Sequence, residues 1–229
     1  MILRLCLDGA ESGGWCQAPV ERLIIAGWTG RDPASVQAHI EELRELGVPA
    51  PARTPVFYRA GASLLTTDPV VDVVGTDSTG EVEFVLLSYD GEWWVGAGSD
   101  HTDRKAEPTG ITLAKQLCPK PVAPRMWNFG SIEAHWDELI LRSYVVSGCD
   151  RALYQEGCVS AMRSPRDLVR LYNESTNSGF LPGAAMFGGT LPVRGEIRWA
   201  ETFVMELEDP VRQRKITHEY RCRVLPVEG

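Results

Sequence analysis

The stretch Gly80-Glu81-Val82-Glu83-Phe84-Val85-Leu86-Leu87-Ser88-Tyr89-Asp90-Gly91-Glu92-Trp93-Trp94-Val95-Gly96-Ala97-Gly98-Ser99-Asp100 reads as a single β-hairpin. Asp90-Gly91 is a two-residue turn of the kind that joins antiparallel strands tightly. With that turn, Tyr89 faces Glu92. Counting back along both strands, Glu81 then faces Asp100. Glu83 lies two residues along from Glu81, so it shares the same face of the sheet. Three carboxylates therefore converge. Facing residues place their β-carbons roughly 4.5–5.5 Å apart, and like charges at that spacing repel. One acid must then hold a proton, or a cation must sit between them. An all-oxygen donor set suits Mg²⁺ or Mn²⁺, with Ca²⁺ as a further choice. The plain alternative is that Glu81 and Glu83 form the solvated face of an alternating strand.

Outward from the hairpin the pattern is mostly short strands. Residues 2–8 alternate and predict an edge strand, and Val20–Ala26 predicts a more buried one. Asp32-Pro33 is a helix start, an N-cap followed by a first-turn proline. Val36, Ile40, Leu43 and Leu46 follow at helical spacing, and Gly47 supplies a stop. Prolines then enforce an extended connection over residues 48–55. Strands are predicted at Phe57–Leu65, Val70–Gly75, Glu81–Ser88 and Trp93–Gly98. Helices are predicted at Glu133–Leu139 and from Ser164-Pro165. Thr202–Val224 reads as two strands split at Asp209-Pro210.

The chain has 229 residues, 44% hydrophobic and 24% charged, which suffices for a core without disulfide or metal staples. The net charge of −8, with no basic tract, argues against a nucleic-acid partner or an anionic membrane surface. There is no apolar run of membrane length and no secretory leader pattern. Of the six cysteines, Cys6, Cys16, Cys118, Cys149, Cys158 and Cys222, none forms a C-x-x-C pair. They read as reduced thiols in a cytoplasmic protein. There is no G-x-S-x-G, H-E-x-x-H, Walker or G-x-G-x-x-G signature.

Glu81-Val82-Glu83, followed by Ser99-Asp100-His101-Thr102-Asp103-Arg104, resembles the fumarylacetoacetate hydrolase superfamily. That superfamily pairs an E-x-E with a segment of the type N-D-x-S-x-R-D-x-x-Q. Pro55-Val56-Phe57-Tyr58-Arg59-Ala60-Gly61-Ala62-Ser63 resembles its P-x-x-F-x-K-x-x-x-S segment. Leu181-Pro182-Gly183-Ala184-Ala185-Met186-Phe187-Gly188-Gly189-Thr190-Leu191-Pro192 resembles its L-x-P-G-D-x-I-x-T-G-T-P signature. The similarity spans about residues 50–225, and it points to an uncharacterised bacterial branch. The chain departs from the pattern at Glu107 for Gln, Arg59 for Lys and Ala184 for Asp.

The resemblance implies an α+β, β-rich fold: a β-roll or barrel-like core over residues 51–229, preceded at 1–50 by a small α/β piece with a candidate lid helix. It implies a homodimer and a metal on Glu81, Glu83 and Asp100. Arg104 would anchor a substrate carboxylate through a two-bond fork. Lys115 would steady negative charge on an enolate, and the Gly189-Thr190 turn would offer N–H groups to the small anionic oxo-acid. His39 and Glu42, three apart on a helix, would activate water. The implied reaction is C–C bond hydrolysis of a 2-oxo or 1,3-dicarbonyl acid. Decarboxylation or tautomerisation in the same site is the alternative, and a non-catalytic module binding a small acid is the other class. His101 should point away from the metal, and Cys118 reads as a buried structural thiol.

Overall fold

The computed structural model describes residues 1–9, 14–45 and 50–228, with the side chains of Ser35, His39, Glu42, Leu43 and Glu45 outside that description. The chain opens with β1 (Ile2–Asp8), β2 (Gly14–Pro19), β3 (Arg22–Gly27) and α1 (Pro33–Glu45). β4 (Val56–Ala60), β5 (Leu65–Thr66), β6 (Val70–Val74) and β7 (Ser78–Thr79) lead to the hairpin of β8 (Val82–Tyr89) and β9 (Glu92–Ser99). β10 (Thr102–Asp103), α2 (Ile111–Gln116), β11 (Lys120–Pro121) and β12 (Arg125–Asn128) follow. A second hairpin, β13 (Ile140–Ser147) and β14 (Asp150–Cys158), precedes α3 (Pro165–Ser175), β15 (Ala184–Thr190), β16 (Thr202–Asp209) and β17 (Arg214–Leu225).

An eight-stranded curled sheet runs β2-β1-β12-β9-β8-β15-β3-β4, and a five-stranded sheet runs β14-β13-β16-β17-β6. The central strands of the large sheet are buried on both faces, so they read as continuous apolar runs. One face carries Ile24, Phe84, Leu86, Val95, Ala97 and Met186. It packs on Val145, Phe203, Met205, Leu207 and Ile216 of the smaller sheet. The other face carries Leu5, Leu23, Ile25, Val85, Leu87, Trp94 and Phe187, with a separate core around them. By alternation, the positions of Glu81, Glu83 and Asp100 belong to this second face.

The hairpin has the expected register. Tyr89 pairs with Glu92 and Val82 with Ser99. The Asp100 N–H donates to the Glu81 carbonyl at 3.0 Å, which carries the ladder past both strand ends. Asp90 and Gly91 have φ of 54° and 75°, the double left-handed conformation of a tight hairpin turn.

Both helix starts are capped as their sequences require. Asp32 Oδ1 accepts from the Ala34 N–H at 3.2 Å, and Ser164 Oγ accepts from the Asp167 N–H at 3.2 Å. The helix stop at Leu46 and Gly47 lies outside the described residues. The two tail strands divide at Asp209-Pro210 as expected.

Three expectations need correction. β1 is not an edge strand: β2 covers its outer side, and β2 lacks the alternation that marks a strand in sequence. Residues 133–138 form tight 3₁₀ turns rather than an α-helix, with His135 leaving helical geometry at φ −126°. The strand begun at Val56 stops at Ala60, where Gly61 opens a short turn. All six cysteines are free, and no described helix is long and apolar enough to cross a membrane.

Gly91→Ala should cost about 1 kcal/mol, because an alanine pays for a left-handed φ that glycine adopts freely. Urea unfolding of the two proteins measures this difference.

Candidate metal centre

Glu83 stands at the start of β8 with Glu81 just before it, and Asp100 stands just past the end of β9. One carboxylate oxygen from each lies within 4.8 Å of the other two. Asp100 is fully buried and Glu83 nearly so, while Glu81 is partly exposed. The hairpin thus delivers the three acids to one place, two of them away from water.

A bulge in β15 completes the wall. The pairing of β15 with β8 shifts register between Phe187 and Thr190. Inside that shift, Gly189 adopts φ +102°, and its N–H donates to Glu83 Oε2 at 2.7 Å. A β-carbon at Gly189 would lie 1.8 Å from Thr29 Oγ1, so only glycine fits. Thr190 Oγ1 donates to the Val82 carbonyl at 2.8 Å, between the two glutamates. The Gly189 N–H and the Thr190 hydroxyl therefore act on Glu83 and on β8, whereas the sequence reading gave the N–H groups of this turn to a small anionic ligand.

Gln155, also fully buried, fastens this region. Its Oε1 accepts from the Val82 N–H and from Ser143 Oγ, each at 2.9 Å. Its Nε2 donates to Thr190 Oγ1 at 2.8 Å and to the Leu191 carbonyl at 2.6 Å. No polar atom of the amide is left unpaired, as burial demands.

Cations surround the acids unevenly. Lys115 of α2 donates to Asp100 Oδ2, and Lys120 of β11 lies 3.1 Å from Asp100 Oδ1. Arg104 spends all three nitrogens: Nε on Thr79 Oγ1 at 2.7 Å, and the other two on Glu81 and Glu107, each at 2.9 Å. Among the described residues, no ion pair reaches Glu83. Burial, reinforced by the adjacent Asp100 carboxylate, holds Glu83 well above the ordinary glutamate range. Burial also acts to raise Asp100, but the two lysines overcome it and hold the acid down at about 2. For Lys115, burial is outweighed by Asp100, Glu81 and Glu83, and the ammonium is held above its ordinary value.

These residues fit a divalent cation. The donors are hard oxygens, they converge, and a buried glutamate among them has no cation of its own. His101, next to Asp100, points to the opposite face as expected. It is buried, with Nδ1 3.0 Å from the Tyr220 hydroxyl and Nε2 2.9 Å from Ser78 Oγ. Burial and the nearby Lys120 charge hold its pKa down at about 3, so it is neutral. Cys118 is buried and its thiol is pushed up to about 11, in keeping with a structural role. A separate cleft of about 560 Å³, lined by Arg31, Glu133, His135, Arg163 and Arg166, excludes the triad.

The His39 and Glu42 side chains lie outside the described residues, although the backbone of both is in α1. Sequence reading missed Lys120, Thr79, Gln155 and Tyr58. Lys120 carried one signal: a lysine between Pro119 and Pro121 in an apolar segment has little freedom to reach solvent. Gln155 carried none.

Two outcomes test the site. Between the ordinary glutamate value and the raised folded value of Glu83, the unfolded chain releases a proton that the folded chain keeps. Metal-free stability should therefore fall as pH rises through that window. Glu83→Gln removes the fall. In EDTA its unfolding temperature should exceed that of the wild type by several degrees at pH 7.5 and match it at pH 4. Second, Gly189→Ala should abolish metal binding in calorimetry while leaving the strand signal in circular dichroism, because the added methyl drives the bulge away from Thr29.

Comparison with known proteins gives the fold its relatives. A candidate fumarylacetoacetate isomerase/hydrolase from Oleispira antarctica is similar over 96% of this chain and 99% of its own, with a TM-score of 0.66 at 17% identity. A fumarylacetoacetate hydrolase family candidate from Yersinia pestis CO92 is similar over 98% and 100%, with a TM-score of 0.63 at 14% identity. A 2-keto-3-deoxy-D-arabinonate dehydratase, complexed with magnesium and 2,5-dioxopentanoate, is similar over 91% and 74%, with a TM-score of 0.60 at 14% identity. At these identities the likeness shows the fold. The search of curated proteins finds no significant match. The model of a family described as protein of unknown function, DUF2848, matches residues 26–220, and the chain belongs to that family, an uncharacterised branch built on the fumarylacetoacetate hydrolase fold.

Proposed function

We propose that this protein is a divalent-metal-dependent enzyme acting on a small 2-oxo or 1,3-dicarbonyl acid, and that it hydrolyses a C–C bond. The observation that carries this reading is the convergence of Glu81, Glu83 and Asp100 within 4.8 Å, with Glu83 buried and without a cation of its own. A Mg²⁺ or Mn²⁺ ion held there would polarise the carbonyl of a chelating oxo-acid.

The chain's own residues supply the rest. Lys115 brings a positive charge to the site, where it can stabilise negative charge developing on the substrate oxygen. Arg104 orients Glu81 and receives a substrate carboxylate on Nη1 by giving up its single bond to Glu107. Gly189 and Thr190 serve by holding Glu83 and the β8 backbone. His39, oriented by Glu42 on α1, would take the proton from the attacking water. A second reading is a lyase, either decarboxylase or dehydratase, which would not need that pair. It draws support from the dehydratase of similar fold, complexed with magnesium and a dioxo-acid.

Mn²⁺ titration by calorimetry tests the site itself: saturable binding in the wild type, lost in Asp100→Ala. A panel of 2-oxo and 1,3-dicarbonyl acids, assayed with Mn²⁺, then tests the reaction. Hydrolysis predicts that His39→Ala lowers kcat by about a hundredfold or more, the usual contribution of a general base. Full activity in His39→Ala would assign the reaction to the lyase class.

A further inference from the structure

Asp100 accepts a different lysine on each of its two oxygens. A divalent ion on Asp100 would repel both ammonium groups, and the two lysines are held differently. Lys120 is fully buried on a short strand between two prolines, and its ammonium makes a second hydrogen bond to the His101 carbonyl. It has no exit. Lys115 stands on the six-residue helix α2 and is slightly exposed. Among the described acceptors, its ammonium is hydrogen-bonded to Asp100 alone. Asp100, Glu81 and Glu83 all attract the Lys115 charge and together outweigh its burial. Lys115 is therefore the ammonium that the triad as a whole holds.

An aromatic face flanks the ammonium where it stands on Asp100. The Lys115 ammonium lies 5.8 Å from the centre of the Tyr58 ring, within cation–π range. The Tyr58 hydroxyl is held by Trp28 Nε1 at 3.3 Å, and Trp28 itself has the unusual φ of 59°, so this wall is set by backbone as well as side chain.

We propose that Lys115 is the triad's internal stand-in cation: metal binding ejects its ammonium from Asp100 onto the Tyr58 face, where it meets the anionic ligand, while Lys120 remains as the permanent counter-ion. This rests on the metal reading above. It makes Lys115 a group that faces substrate only when the metal is loaded. The order of binding follows, metal first and acid second. An anion arriving before the metal would find no free cation, because the ammonium is still on Asp100.

Two measurements test it on the intact chain, with Mn²⁺ as the probe. In the first, the wild-type protein is acetylated with a limiting amine-reactive ester with and without saturating Mn²⁺, and the lysines are read by peptide mass spectrometry. Lys115 should react several-fold faster with Mn²⁺, while Lys120 stays unmodified in both. In the second, Lys115→Met should bind Mn²⁺ about tenfold more tightly than wild type, since it removes both the competitor and one positive charge. The labelling needs no variant, so a folding failure of Lys115→Met leaves the test intact. Mn²⁺ binding that Glu83→Gln abolishes, with Lys115 labelling unchanged or with Lys120 exposed instead, would overturn the exchange and leave the metal site standing. Absence of Mn²⁺ binding in wild type and in Lys115→Met alike would overturn both.

Discussion

Carboxylates crowded together away from water can stay ionised only if positive charge is brought to them, and that requirement organises much of this molecule. The β8–β9 hairpin forces Glu81, Glu83 and Asp100 into one volume. The surroundings then read as a set of partial answers to the repulsion. Two lysines take Asp100, an arginine takes Glu81, and a backbone N–H from a bulge takes one oxygen of Glu83. These answers come from α2, β11, the segment after β10, and β15, so the acids fix where four separate pieces of chain must end up. The acid left without an ion pair among the described residues is Glu83. A fold that only needed to be stable could have placed an apolar residue there, because a buried unpaired acid lowers stability. With Asp100 and Glu81, Glu83 forms a set of oxygens that could hold an ion.

The hairpin and its acids were legible in sequence because the signals are local. A two-residue turn fixes register, and the period of two fixes faces, so Glu81 could be set opposite Asp100 without knowing anything distant. The capped helix starts at Asp32 and Ser164 were legible for the same reason. What could not be read was contributed from far along the chain. Gln155 joins Val82, Ser143, Thr190 and Leu191 across both sheets, and nothing in its own neighbourhood marks it. Lys120 reaches Asp100 from a segment whose most visible features are its prolines. β2 escaped because an edge partner of a strong strand needs little pattern of its own. The turns at 133–138 escaped because apolar spacing alone does not separate an α-helix from tighter turns.

The two core faces separate stability from function along the same strands. On β8, Val82, Phe84 and Leu86 face the smaller sheet, while Val85 and Leu87 join the other core in line with the acids. His101 and Tyr220 fill the layer behind Asp100 with a neutral hydrogen-bonded pair, so the negative charge is confined to one side of the sheet. The neutral imidazole adds no competing charge where the metal is expected.

The hairpin register also bears on how the family's sequences can drift. Between the Asp90-Gly91 turn and the acids the ladder is unbroken on both strands. Loss or gain of one residue within β9 would rotate the following chain by half a pleat, presenting a neighbour such as Ser99 or His101 in place of Asp100. Substitutions along these strands can accumulate one at a time, but an odd-numbered change in length exchanges the ligand set in a single step. Length changes are therefore expected to be confined to stretches away from this ladder, making β8 and β9 a ruler whose spacing is inherited more strictly than its letters.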